Sequence, residues 1–246
     1  MLSCEVNLAL TLIVLDPGHG GHDSGATGYG LVEKNLALQI GLKVRDFLKQ
    51  QYQVEVKMTR ETDVFISLSG RADFANKAGA HYFVSLHHNA AGGEGFESFV
   101  YRGLLNSQTG RYQQVIHQEI MGYLGTLGVR DRGRKDADFA VIRETKMPAV
   151  LLENLFVDNP FDANLLKDPA VIDQLSQKIA VGIAKAFNLK ELFPITTPDW
   201  KKEAVDWLFK EGLLTNEDWK KTVENPLPLW AEAVVLRRLY EKMKQK

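Results

Sequence analysis

The sequence predicts an α/β protein: a single, mostly parallel, twisted sheet flanked by helices on both faces, followed by a small helical C-terminal appendage. Three observations carry this. Short runs rich in Val, Ile, Leu and Phe alternate with longer stretches whose apolar residues recur at helical spacing. Alternation at these lengths implies parallel strands joined by covering helices. The pattern then stops at Phe193-Pro194-Ile195-Thr196-Thr197-Pro198, and a short polar tail follows that holds all four tryptophans.

In chain order, Leu12–Asp16 reads as a buried strand that opens into a Gly-rich loop. A helix follows over Lys34–Gln51, with Leu36, Ile40, Val44, Phe47 and Leu48 on one side. Val54–Thr59 alternates as a half-buried strand does. Leu68–Ala80 is a helix with Ser67 or Ser69 as its cap and Gly79 as its stop. Tyr82–His87 and Phe96–Tyr101 are strands, and Ser107–Leu127 is a long helix ended by Gly128. The stretch Val129–Asp138, rich in Arg, Asp and Gly, is expected to be a loop too polar for the core. After Phe139–Arg143 and a Lys-Met-Pro turn, the run Ala149–Leu152 leads to Glu153, and Pro169–Phe187 forms the last helix of the main domain. In the tail, Asp199 is expected to cap a helix bearing Trp200, Ala204, Trp207 and Leu208, which Gly212 ends. Asn216–Thr222 and Leu229–Lys246 complete it, with Trp200, Trp207 and Trp230 as its expected core. The layout is thus a leader of unknown role (1–11), a main domain (12–192), a linker (193–198) and a helical module (199–246).

Composition narrows the function. A net charge of −1 with 25% charged residues gives no field for nucleic acid or an anionic membrane. The single cysteine, Cys4, excludes an intrachain disulfide and a cysteine-built metal site. Apolar residues run from Leu8 to Leu15, but Glu5 stands where an export signal carries positive charge and no cleavage site precedes Asp16. No stretch has the length to span a bilayer. The chain is expected to act as a monomer, without nucleic acid or membrane as partner.

Ligands of open α/β sheets gather at the carboxyl ends of the strands. Four residues with suitable chemistry fall there: His19, Glu33, His87 and Glu153. Two histidines and one glutamate form a catalytic zinc set with a position left for water, and the second glutamate is then free to act as a base. Singly, each has an ordinary reading. A loop histidine often makes one structural hydrogen bond, and Glu33 in a first helical turn suits the helix dipole. Glu153 is harder to place without a site, because it ends the run Ala-Val-Leu-Leu. His22 is a minor alternative to His19. Successive strand residues face opposite ways, so only one of His87 and His88 reaches the site if the strand stays regular. The glycines do not follow a dinucleotide or P-loop spacing, since His19 interrupts them and no Gly-Lys-Ser/Thr follows.

These residues resemble the zinc-dependent N-acetylmuramoyl-L-alanine amidases of the type-3 class, which are bacterial and phage cell-wall hydrolases. The resemblance rests on Asp16-Pro17-Gly18-His19-Gly20-Gly21, Gly25-Ala26 and Glu33, then on Thr59-Arg60 with Asp63 and on Arg71-Ala72 with Ala75-Asn76. It continues through Ser85-Leu86-His87-His88-Asn89-Ala90 and Gly95-Phe96-Glu97. It closes with Pro148-Ala149-Val150-Leu151-Leu152-Glu153 and with Phe156 and Asn159. The resemblance implies Zn2+ as cofactor held by His19, Glu33 and His87, with Glu153 as the catalytic carboxylate, and it selects His87 over His88. It implies peptidoglycan as substrate, cut between the lactyl group of N-acetylmuramic acid and L-alanine. Asn89 and Arg132, the latter within a basic run, are the expected substrate contacts. A zinc carboxypeptidase, or a wall-binding protein without activity, is the competing expectation. The substrate lies outside the cell, which without a convincing export signal implies release by lysis or through a holin.

Overall fold

The computed structural model describes residues 10–194 and 196–244. The leader reading therefore falls mostly outside the described residues. The chain forms two compact units, one of Met1–Lys49 with Val54–Leu189, the other of Gln50–Gln53 with Lys190–Lys246.

The strands of the first unit, in chain order, are β1 (Leu12–Pro17), the two-residue ribbon β2 (Thr27–Gly28) and β3 (Leu31–Val32), β4 (Glu55–Met58), β5 (Tyr82–Asn89), β6 (Phe96–Tyr101), β7 (Asp131–Ala137) and β8 (Ala149–Phe156). The helices are α1 (Glu33–Gln51), α2 (Leu68–Ala78), α3 (Gln108–Leu124), α4 (Ala140–Arg143), α5 (Pro160–Lys167) and α6 (Pro169–Phe187). Six strands make one sheet in the order β4-β1-β5-β8-β6-β7, parallel throughout except where β8 meets β6. The chain leaves β1 for β4 on one side and later fills β5 on the other. This reversal of direction opens a crevice at the carboxyl ends of β1 and β5.

Burial follows from strand alternation. Leu12, Val14, Phe83, Ala149 and Leu151 share a core cluster with Ala75 of α2 and Val141 and Ile142 of α4. The opposite row, with Tyr82 packed on Tyr112 of α3 and Phe187 of α6, faces the longer helices. Both faces of β1 are buried, and so it reads as a continuous apolar run.

Asp16 ends that run inside the core with a fully buried side chain. It is retained there by three donors: Thr59 Oγ1 at 2.6 Å, Arg71 Nη1 at 2.8 Å and Ser85 Oγ at 2.8 Å. Removing one partner of a buried ion pair leaves the other charge uncompensated. Asp16→Ala is therefore expected to destabilise this unit by about 3–5 kcal/mol. Urea unfolding measures it, and a loss below about 1 kcal/mol, the scale of exposed pairs, would contradict the role given to Asp16.

Two expectations for this unit need correction. Val129–Asp138 contains strand β7, paired in parallel with β6. It is a sheet edge, where polar and charged residues are tolerated because one side is open, and its polarity hid it. Glu153 does not end its strand, since β8 runs on to Phe156. On α3, His117 is buried between Ser98 Oγ, 2.8 Å from Nδ1, and Asp131 Oδ1, 3.0 Å from Nε2.

The second unit contains α7 (Asp199–Lys210), α8 (Asp218–Lys221) and α9 (Leu229–Lys244). Gln51 and Gln53 pair with Leu192 and Lys190 through backbone hydrogen bonds of 2.7 and 2.8 Å. The cap position of α7 is held by Pro198 rather than Asp199, with no side-chain cap bond. The buried residues of this unit include Phe193, Leu213, Leu214 and Ala231. Trp200, Trp207 and Trp230 are 50–67% exposed, so they are not its core.

Candidate metal centre

The loop after β1 is bent tightly, with His19 in the left-handed region at φ 60°. Such a backbone is costly for a residue with a side chain unless its surroundings hold it. Two arginines do so. Arg60 donates to the Pro17 and Gly18 carbonyls at 2.9 and 2.7 Å, and Arg71 donates to those of Pro17 and His19 at 2.7 and 2.6 Å. These charged donors satisfy carbonyls that a tight buried turn would otherwise orphan.

Asp23 then sets the ring of His19. Its Oδ2 lies 2.9 Å from Nδ1, and its Oδ1 accepts from Gly25 N at 3.0 Å. With Nδ1 engaged, Nε2 is the free ligand atom, and it points to Glu33 Oε1 at 3.1 Å. Asp23 escaped the sequence reading. A carboxylate four residues beyond a loop histidine was its only signal. Asp23→Asn is expected to weaken metal binding by about 10–100-fold with little change in fold. Competition against a zinc dye measures this, and unchanged affinity would remove Asp23 from the site.

Glu33 is brought back to the loop by the β2–β3 ribbon, with its own N–H on the Ala26 carbonyl at 2.9 Å. Its Oε1 lies 2.9 Å from His87 Nδ1 and accepts from His88 N at 3.0 Å, while Oε2 accepts from Ala26 N at 2.8 Å. Gly18 makes room for the ring of His87, since a Cβ there would stand 2.3 Å from it. Ligand atoms of His19, Glu33 and His87 thus gather within 4.8 Å of one another. Burial favours the neutral forms of all three, but the mutual bonds prevail. Glu33 is held well below the usual carboxylate range by His19 and His87, and both histidines are raised, chiefly by Glu33.

His88 takes a different course. Its Nδ1 lies 2.5 Å from the Asn154 carbonyl, and burial lowers its pKa to about 4. His22 stacks on Phe65 at 4.2 Å and stays out of the cluster.

Glu153 stands in a row that crosses three strands. It is the register partner of His87 on β5 and of Glu97 on β6, so all three side chains share one face. Its Oε2 is buried without a hydrogen-bond partner, and burial raises its pKa to about 7. Glu97 is buried and ion-paired with Arg132 Nε at 3.1 Å and with Lys135 Nζ. It also accepts from Asn89 Nδ2 at 2.6 Å. Glu153, Asn89 and the three clustered residues line one cavity of about 440 Å³, closed on another side by Leu68, Phe139 and Val141. Arg132 is not among its lining residues; it braces Glu97 and lies over the Phe156 ring at 4.9 Å.

Residues 13–185 match the model of a family described as N-acetylmuramoyl-L-alanine amidase. The chain belongs to that amidase family. It is 48% identical over 180 residues to N-acetylmuramoyl-L-alanine amidase CwlM of Bacillus licheniformis, covering 73% of this chain and 70% of that protein. It is 47% identical over 182 residues to the endolysin of Bacillus phage SPP1, covering 73% and 67%. Among solved structures, the catalytic domain of the amidase CwlV from Bacillus (Paenibacillus) polymyxa var. colistinus superposes with a TM-score of 0.68 at 36% identity, over 74% of this chain and all of that domain (100%). The amidase match ends at residue 185, so the second unit lies beyond it apart from Gln50–Gln53.

Proposed function

We propose that the chain hydrolyses peptidoglycan at the amide between the lactyl group of N-acetylmuramic acid and L-alanine, with Zn2+ held by His19, Glu33 and His87. The observation that carries this reading is the pairing of a two-histidine, one-carboxylate cluster with a buried carboxyl, Glu153, whose Oε2 has no partner in the same cavity. This donor set suits zinc: two imidazoles and one carboxylate leave a coordination position open. An ion bound there supplies Lewis acidity towards water and towards the scissile carbonyl.

The chain's own residues do the rest. Glu153 takes a proton at Oε2 from the attacking water and delivers it to the nitrogen of the leaving alanine. Asp23 holds the His19 ring, and Gly18 admits that of His87. The apolar side of the cavity keeps bulk water from the reacting groups. Asn89, fixed by Glu97, is the substrate contact in this reading. Arg132 acts on substrate only through its hold on Glu97. Residues 12–192 carry the chemistry, and 199–246 form a separate module reached through 193–198. The place of action is the cell wall, after release by lysis or through a holin. No helix among the described residues is long and apolar enough to cross a membrane.

Product analysis on purified walls tests the reaction. The expected products are intact stem peptides bearing a free L-alanine amine, whereas release of the C-terminal residue of the stem would indicate a carboxypeptidase and overturn the reading. Metal removal tests the cofactor. Dialysis against a chelator is expected to abolish turnover, and one equivalent of zinc to restore it; activity that survives chelation would exclude the metal.

A further inference from the structure

Helix α9 is apolar on two opposite sides. On one, Ala231, Val234 and Val235 border a small cavity with Leu213, Leu214 and Trp219. That side is tied down by Arg238 Nη1 on the Leu213 carbonyl at 2.9 Å and by Lys242 on Glu211 at 2.8 Å. On the other side stand Leu229, Ala233, Leu236, Tyr240 and Met243, spaced four, three, four and three residues apart. Its four large side chains are 58–82% exposed. One apolar side is enough to seat a surface helix, yet this helix carries a second that stays open to solvent.

We propose that the stripe is a dimer seam, in which α9 pairs in parallel with α9 of a second copy of the chain. The alternating spacing is that of a two-stranded coiled coil, with Leu229, Leu236 and Met243 at d positions and Ala233 and Tyr240 at a. In that frame Glu232 falls at g and Arg237 at e of the next heptad. A parallel pair sets the g residue of one helix against that e residue of the other. Glu232 therefore meets Arg237 of the partner subunit, and twofold symmetry makes the contact twice. In the antiparallel arrangement e faces e and g faces g, so the contact between Glu232 and Arg237 is lost. The heptad spacing thus points to a second copy as the occupant, and the Glu232 to Arg237 contact, made in exchange for the 3.8 Å pairing of Arg237 with Glu241 on its own helix, favours the parallel direction.

The seam spans five positions, roughly 22 Å of helix at 1.5 Å per residue. An interface of that size is expected below the roughly 1,200 Å² of stable complexes, and a dimer in the micromolar range follows. Pairing places two catalytic units on one particle, so that a polymeric substrate is held by both at once.

Sedimentation velocity of the full-length chain tests this between about 1 and 200 µM, a range that brackets a weak interface. The mass is expected to rise from one chain of 27.6 kDa towards two. Leu236→Glu is expected to stay at one chain throughout, with the circular dichroism of the parent and its turnover on a soluble muropeptide. Arg237→Glu should weaken association by roughly three- to tenfold, and Glu232→Arg in the same chain should restore it. A wild-type mass of one chain across the range overturns the proposal. So does a Leu236→Glu chain that dimerises like the parent, or a double charge exchange no better than the single one. Wall sedimentation by a purely monomeric wild type that Leu236→Glu abolishes would give the stripe to the wall instead. None of these outcomes depends on the amidase activity, which the muropeptide assay reads separately.

Discussion

Glu153→Gln is expected to bind one zinc ion as tightly as the parent and to hydrolyse purified walls about 10²–10⁴-fold more slowly. The amide keeps the size and shape of the carboxyl, so the row from His87 through Glu153 to Glu97 should keep its packing. What it removes is a group that can accept a proton and return it. The free Oε2 has no other partner whose loss could explain the defect. Burial also acts against the charged carboxylate at this position, and a neutral amide relieves that cost. The variant is therefore expected to melt no lower than the parent. Zinc stoichiometry, thermal melting and turnover measured on one preparation check all three. Turnover within tenfold of the parent would sink the assignment of Glu153 as base.

His19→Ala should fail one step earlier. With one of three ligands gone, zinc affinity is expected to fall by more than the roughly 10–100-fold that loss of a supporting carboxylate costs, and turnover with it. The left-handed backbone at position 19 offers a control. Asn tolerates φ > 0 better than Ala, so His19→Asn separates a folding defect from a metal defect. If both variants fold and lose zinc, the ligand role stands; a His19→Asn chain that keeps a full equivalent of tightly held zinc would refute it. Glu153→Gln and His19→Ala differ in expected signature, since the first retains the metal and the second does not.

Much of this arrangement was legible because the residues concerned obey simple rules. The buried strand at Leu12, the cap at Ser67 and the stop at Gly79 are local signals, and each lies where the pattern put it. His19, Glu33, His87 and Glu153 were readable as one group because sheet topology gathers residues near the carboxyl ends of separate strands at one rim, although β5 and β8 run on past His87 and Glu153. Their gathering in one cavity rests on contacts 14 to 134 positions apart in the chain. What escaped depended on three-dimensional pairing. The charges of β7 look like a solvated loop until Glu97 on the neighbouring strand is seen to pair with Arg132 and Lys135. Asp23 looks like any loop acid until the turn at His19 brings the ring to it. Trp200, Trp207 and Trp230 misled for the opposite reason: large apolar side chains are usually buried, and these three stand outside.

The clamp of Arg60 and Arg71 on the turn after β1 spreads responsibility for the cluster well beyond its members. The bend that carries His19 is held by two guanidinium groups, one just after β4 and one from α2, that donate to the carbonyls of Pro17, Gly18 and His19. The placement of His19 is thus entrusted to two residues that supply none of the clustered ligand atoms.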